Sequence, residues 1–122
     1  MSEEFLKVAR QEIQSEIDSL NEIFLTCTND EQLHEKSAEI EKHMHKIKGL
    51  APMMEQEKVG EVAKISDLVL KHVSIHGILR GSHKTTSDAV KIMSSLFSGQ
   101  VDIQIDDFRK QTRALYPQIA GF

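Results

Sequence analysis

From Leu33 to Met54 the chain repeats one spacing without a miss. Leu33, Ser37, Ile40, Met44, Ile47, Ala51 and Met54 follow at intervals of four and three. A strand alternates with period two and cannot produce that rhythm. A helix of 3.6 residues per turn does, and it gathers all seven positions into one stripe that must face other helices. The spacing predicts a helix over about 30–56.

The flanking segments keep the same period. Phe5, Ala9, Ile13, Ile17, Leu20, Phe24 and Cys27 predict a helix over about 3–28, broken at Thr28-Asn29-Asp30, where Asn29 or Asp30 can cap the next helix. Val59, Val62, Ala63, Ser66, Val69, Leu70 and Val73 predict a third helix over 57–75, followed by a loop containing Gly77 and Gly81. A fourth is expected to start near Thr85-Thr86-Ser87-Asp88, to use Ala89, Ile92, Met93, Leu96 and Phe97, and to stop at Gly99. Ile105, Phe108, Thr112 and Leu115 suggest a fifth over 104–116, before Pro117. The alternation from Val101 to Ile105 is too short to argue for a sheet. The expected fold is all-α: an antiparallel four-helix bundle with an additional C-terminal helix. It forms a single domain over 1–122, with a core bundle at about 3–99 and an accessory helix at about 104–116.

The 122 residues suit one core, and with aromatics at 5% and no Trp that core must be aliphatic. Fifteen basic and nineteen acidic residues give a net charge of -4 without a basic stripe, which argues against nucleic acid as a partner. No apolar run is long enough to span a bilayer and no signal peptide precedes the first charges, so a cytoplasmic protein without membrane insertion is expected. Cys27 stands alone and lies on the apolar stripe, as a small core residue would.

The second helix carries unusual chemistry in the stretch HMHKIKGLAPMM, residues 43–54. With Met44 and Ile47 on the seam, His45 falls roughly 120° away, on the exposed side. Lys48 and Gly49, three and four residues on, share that side. A helical glycine costs roughly 0.5–1 kcal/mol relative to alanine, and chains tolerate it where something must approach closely. An uncovered imidazole is a good nucleophile near neutral pH, and a neighbouring lysine offers charge to an arriving anion. Phosphoryl transfer asks little more of an acceptor than position and charge neutralisation. The same residues also fit an ordinary solvated helix face.

The string His45-Lys46-Ile47-Lys48-Gly49-Leu50-Ala51 resembles the H-x-[aliphatic]-K-G-x-[small] motif of histidine phosphotransfer (HPt) domains. EEFLKVARQEIQSEIDSLNEIFL and KVGEVAKISDLVLK are similar to the first and third helices of the amino-terminal HPt domain of chemotaxis-type histidine kinases (CheA). The resemblance covers about residues 3–75; beyond them only helical character agrees. It implies a phosphocarrier in two-component signalling, partnered by a histidine kinase catalytic domain and a response-regulator receiver domain. His45 would accept a phosphoryl group on Nε2 from the kinase's ATP and pass it to a receiver aspartate. Lys48 would stabilise the phosphoryl charge, and Gly49 would keep access open. No cofactor is implied in this chain itself, since ATP belongs to the kinase domain.

Four departures from the family pattern bear on the site. The family's third-helix glutamate, which orients the imidazole, corresponds to Asp67, one methylene shorter, so a direct bond needs closer helices or an intervening water. The histidine three residues before that acid is replaced by Lys64, which can contact phosphate or pair with Asp67. Pro52 removes an amide from the end of the second helix, so a kink or early end is expected there. Glu55 stands where the family turns at a glycine.

The remaining histidines offer less. His43 is about 200° around the helix from His45, so the two cannot share a metal. His72 and His76 are four apart but lack supporting ligands, and no metal site is expected. His34 and His83 read as surface residues, and Glu39, Glu41 and Lys42 as a solvated face. No nucleotide-binding glycine box, phosphate loop or catalytic carboxylate pair is present, which disfavours an enzyme acting alone. No exposed heptad requires a dimer, so the isolated domain is expected to be monomeric. The alternative function is a helical docking module of the same signalling system without phosphotransfer.

Overall fold

A computed structural model describes residues 2–100 and 102–122. The chain is all-helical, with no strand among the described residues: α1 (Glu3–Phe24), α2 (Asp30–Leu50), α3 (Glu57–His76), α4 (Ser82–Phe97) and α5 (Asp106–Leu115). Val101, the start of the short alternation, lies outside the described residues, and Asp102–Ile105 is irregular. α2 packs on α1 and α3, and α4 closes the set against α3 and α1.

The core is aliphatic, as the composition requires. Leu33, Ile40, Met44, Ile47 and Ala51 of the α2 stripe are fully buried against Ile13, Ile17 and Leu20 of α1 and Val59, Val62, Ala63 and Leu70 of α3. Cys27 is buried as well, and burial pushes its thiol pKa up. The α1 stripe reaches the core only from Ala9; Phe5 stays 40% exposed, and on α5 Leu115 is also exposed. A second apolar cluster joins Val69 and Val73 of α3 to Tyr116 and Ile119 beyond α5, and the Tyr116 hydroxyl donates to the Arg80 carbonyl at 2.9 Å.

Local chemistry sets the helix ends. α1 stops at Phe24, four residues before the sequence break. Asn29 caps α2, accepting from the Gln32 amide at 2.8 Å, while the Gln32 side chain accepts from the Thr28 amide at 2.7 Å. This reciprocal arrangement satisfies donors on both sides of the cap. Asp30 serves a different helix. Its carboxylate accepts from the Gly81 and His83 amides at 2.9 and 2.8 Å, capping α4 from across the fold. That is why α4 starts at Ser82 rather than near Thr85–Asp88: the cap is not local in sequence. His83 is likewise not a surface residue. Its Nε2 donates to the Cys27 carbonyl at 2.7 Å and its ring lies against Phe24.

α2 ends early at Pro52, as expected. It stops at Leu50, and Pro52–Met54 forms a 3-10 turn. Glu55 then takes the left-handed conformation, φ 58°, where the resembled family has glycine. The proline ring is accommodated by Gly60 on α3. A Cβ placed there would lie 3.1 Å from Pro52 Cγ and 3.2 Å from Cδ. Gly60 thus lets the end of α2 sit close against α3.

Candidate functional site

His45 stands on the outer side of α2, with 57% of its side chain exposed. Its stripe neighbours Met44 and Ile47 are fully buried, so the helix backbone is fixed beneath it. Both acidic groups near the ring face Nδ1. Asp67 Oδ2, from α3, is 3.5 Å away and Glu41 Oε2, one turn back on α2, is 3.9 Å away. At 3.5 Å the Asp67 contact is too long for a direct hydrogen bond, the outcome expected of a carboxylate one methylene short. Among the described residues both ion pairs of His45 use Nδ1 and none uses Nε2.

Asp67 is the anchor of the site. It is 1% exposed, and its Oδ2 accepts from Lys48 Nζ at 2.8 Å and forms an ion pair with Lys71 Nζ at 3.1 Å. Burial pushes its pKa up, but contacts with Glu41, Lys48 and Lys71 outweigh that and bring it down to about 2. A buried carboxylate held ionised beside Nδ1 favours the tautomer with the proton on Nδ1 and the lone pair on Nε2.

Lys48 therefore reaches the site, through Asp67. Lys64 is exposed and makes no ion pair among the described residues; Lys71 occupies the place expected of it. Helix geometry explains the exchange. Side chains lean toward the N-terminus, so Lys71 bends back over Asp67 while Lys64 leans away from it. Glu41 is also more than a solvated charge. It is half-buried, and the i,i+4 spacing to His45 was the available sign. Contact with Asp67, and then burial, raise its pKa.

Gly49 opens to solvent. A Cβ added there would meet no heavy atom within 4 Å, so nothing inside the protein requires the missing side chain. His43, in contrast, turns to α1, where its Nδ1 pairs closely with Glu16 Oε2; Lys46 reaches Glu16 Oε1 at 3.2 Å. His72 and His76 form a tilted ring pair with centroids 4.4 Å apart.

Glu41, His45 and Asp67 have the donor chemistry to hold a cation, each offering an atom within 4.8 Å of the others. Two ammonium groups already sit on Asp67 Oδ2, and their charge opposes a metal there. The arrangement suits an incoming anion better. The His45 side chain is 57% exposed, the carboxylate beside its Nδ1 carries two lysines, and nothing stands within 4 Å of a Cβ at Gly49. No helix among the described residues is long and apolar enough to cross a membrane. No family model, curated protein or solved structure matches this chain.

Proposed function

We propose that this chain is an HPt-type phosphocarrier in a chemotaxis-type two-component system. His45 Nε2 attacks the γ-phosphorus of ATP held by a histidine kinase catalytic domain. The N–P bond forms as the bond to ADP breaks, and ADP leaves with the electron pair. The ring gains positive character, which the Asp67 carboxylate facing Nδ1 stabilises. A carboxylate oxygen of a receiver-domain aspartate then attacks the same phosphorus, and the N–P electrons return to Nε2. Lys48 and Lys71 neutralise charge on the phosphoryl oxygens, and Gly49 gives the partner room.

The observation that carries this proposal is the setting of the imidazole: an exposed ring whose Nδ1 faces a buried, ionised Asp67 that also holds Lys48 and Lys71. Contacts of α2 with α1 and α3, and of α4 with both, favour an antiparallel four-helix bundle with α5 as an accessory. The test mixes the protein with a chemotaxis-type kinase core and labelled ATP. Label that is acid-labile, base-stable and absent from His45→Gln is expected. Acid-stable label, or label persisting in the variant, contradicts the proposal. Binding to kinase or receiver with no label would identify a docking module instead.

A further inference from the structure

We infer that Glu41 and Asp67 hold one proton between them, and that Glu41 is thereby a positioning residue for His45. Glu41 Oε2 and Asp67 Oδ1 are both buried, and neither has a hydrogen-bond partner. Asp67 Oδ2 is already occupied by two ammonium groups, so Oδ1 is the acceptor left over. Two ionised carboxylates cannot satisfy each other, since both only accept. One proton resolves both vacancies: Glu41 donates and Asp67 Oδ1 accepts.

The surroundings decide where that proton sits. From α3, Lys48's partner Asp67 faces Glu41 together with Lys71, and Lys48 and Lys71 keep Asp67 ionised. From α2, His45 lies 3.9 Å away, and Lys42 shares a surface depression with Glu41. From α1, Glu16 lines the same depression, but its charge is met by His43 and Lys46. Asp67 is held low and Glu41 is held high, so the proton belongs to Glu41. The bond pins Asp67 at Oδ1 and leaves Oδ2 facing Nδ1 of His45. It also keeps a second negative charge away from the ring.

The consequence for catalysis rests on the phosphocarrier proposal; the acid pair does not. Two measurements separate them. The first titrates the Glu41 side-chain carboxyl by carbon NMR in the unphosphorylated protein. A midpoint above the ordinary 4.5, returning toward it in Asp67→Asn, is expected. A midpoint at or below 4.5 overturns the pair. The second follows uptake from phosphoramidate, a small donor that needs no kinase. Glu41→Gln should keep the rate, because its amide can donate to Asp67 Oδ1. Glu41→Leu should slow it roughly tenfold, the scale of losing a partner that orients an imidazole. Equal rates in both variants overturn the positioning role. A raised Glu41 titration with no label on His45 refutes the carrier and leaves the pair standing. Label on His45 with an ordinary Glu41 titration does the reverse.

Discussion

His43 and His45 are two residues apart on one helix and live in opposite conditions. His43 is three-quarters covered and locked against Glu16 of α1. His45 is more than half exposed, and the nearest acid stays 3.5 Å from its ring. Both face a carboxylate that also holds a lysine: Lys46 on Glu16, Lys48 on Asp67. The difference is where the free energy goes. On the α1 side, the imidazole completes a tight cluster that joins two helices. On the α3 side, Asp67 is saturated by lysines, and the imidazole is guided without being tied down. One histidine ties two helices together; the other keeps more than half of its side chain exposed.

Substitution should separate the two sides most sharply in chemistry. His45→Gln should abolish phosphoryl uptake, while His43→Gln should leave it within about twofold and instead cost about 1 kcal/mol of stability, read by denaturant unfolding. If His43→Gln abolished uptake as well, the division of roles would be wrong. Asp67→Ala should slow uptake roughly tenfold in a protein that still unfolds cooperatively, since the ionised carboxylate facing Nδ1 is lost. An unchanged rate would show that Asp67 does not orient the ring.

The glycines give a smaller, opposed pair of effects. Gly60→Ala should destabilise by about 1–3 kcal/mol, because its methyl would press on the Pro52 ring. Gly49→Ala should stabilise by roughly 0.5 kcal/mol, since the new Cβ meets nothing, yet it should slow transfer from the kinase. Thermal unfolding of the two variants against the parent checks the signs.

Acid should affect both sides in the same direction. Burial pushes the Glu16 carboxyl up, but His43 and Lys46 outweigh it and hold it below 4.5; Asp67 falls from 3.8 to about 2. Groups lowered by folding stabilise above their unfolded pKa. Their contribution is lost as pH falls through the folded value. Asp67 should therefore cost the domain stability between about pH 4 and 2, and Asp67→Asn should flatten that part of the profile. Glu41, raised by folding, works in the opposite sense: its contribution is greatest below 4.5 and fades as pH rises through its folded value.

Much of this was legible in the sequence because it depends on helical period. The α2 and α3 stripes are buried where the spacing puts them, and the angle between His43 and His45 follows from the rise and turn of one helix. What was not legible depends on contacts between distant segments. Asp30 capping α4, Gly60 receiving Pro52 and Tyr116 closing on Arg80 each join residues far apart in the chain. The exchange of Lys64 for Lys71 is intermediate. Both share the side of α3 that carries Asp67, and only the N-terminal lean of helical side chains distinguishes them. Glu41 was missed because its role depends on Asp67, and sequence spacing cannot show how near two helices bring their carboxylates.

The central claim is that Nε2 of His45 carries the phosphoryl group because Nδ1 faces the buried Asp67 carboxylate. Phosphorus–proton correlation NMR on the phosphorylated protein tests it most directly. A phosphorus on Nε2 couples through bonds to both ring C–H protons of that imidazole. The structure predicts one phosphorus resonance correlated to both His45 ring protons. Correlation to only the proton between the two nitrogens would place the phosphorus on Nδ1. That result, or correlation to any other histidine, would contradict the account.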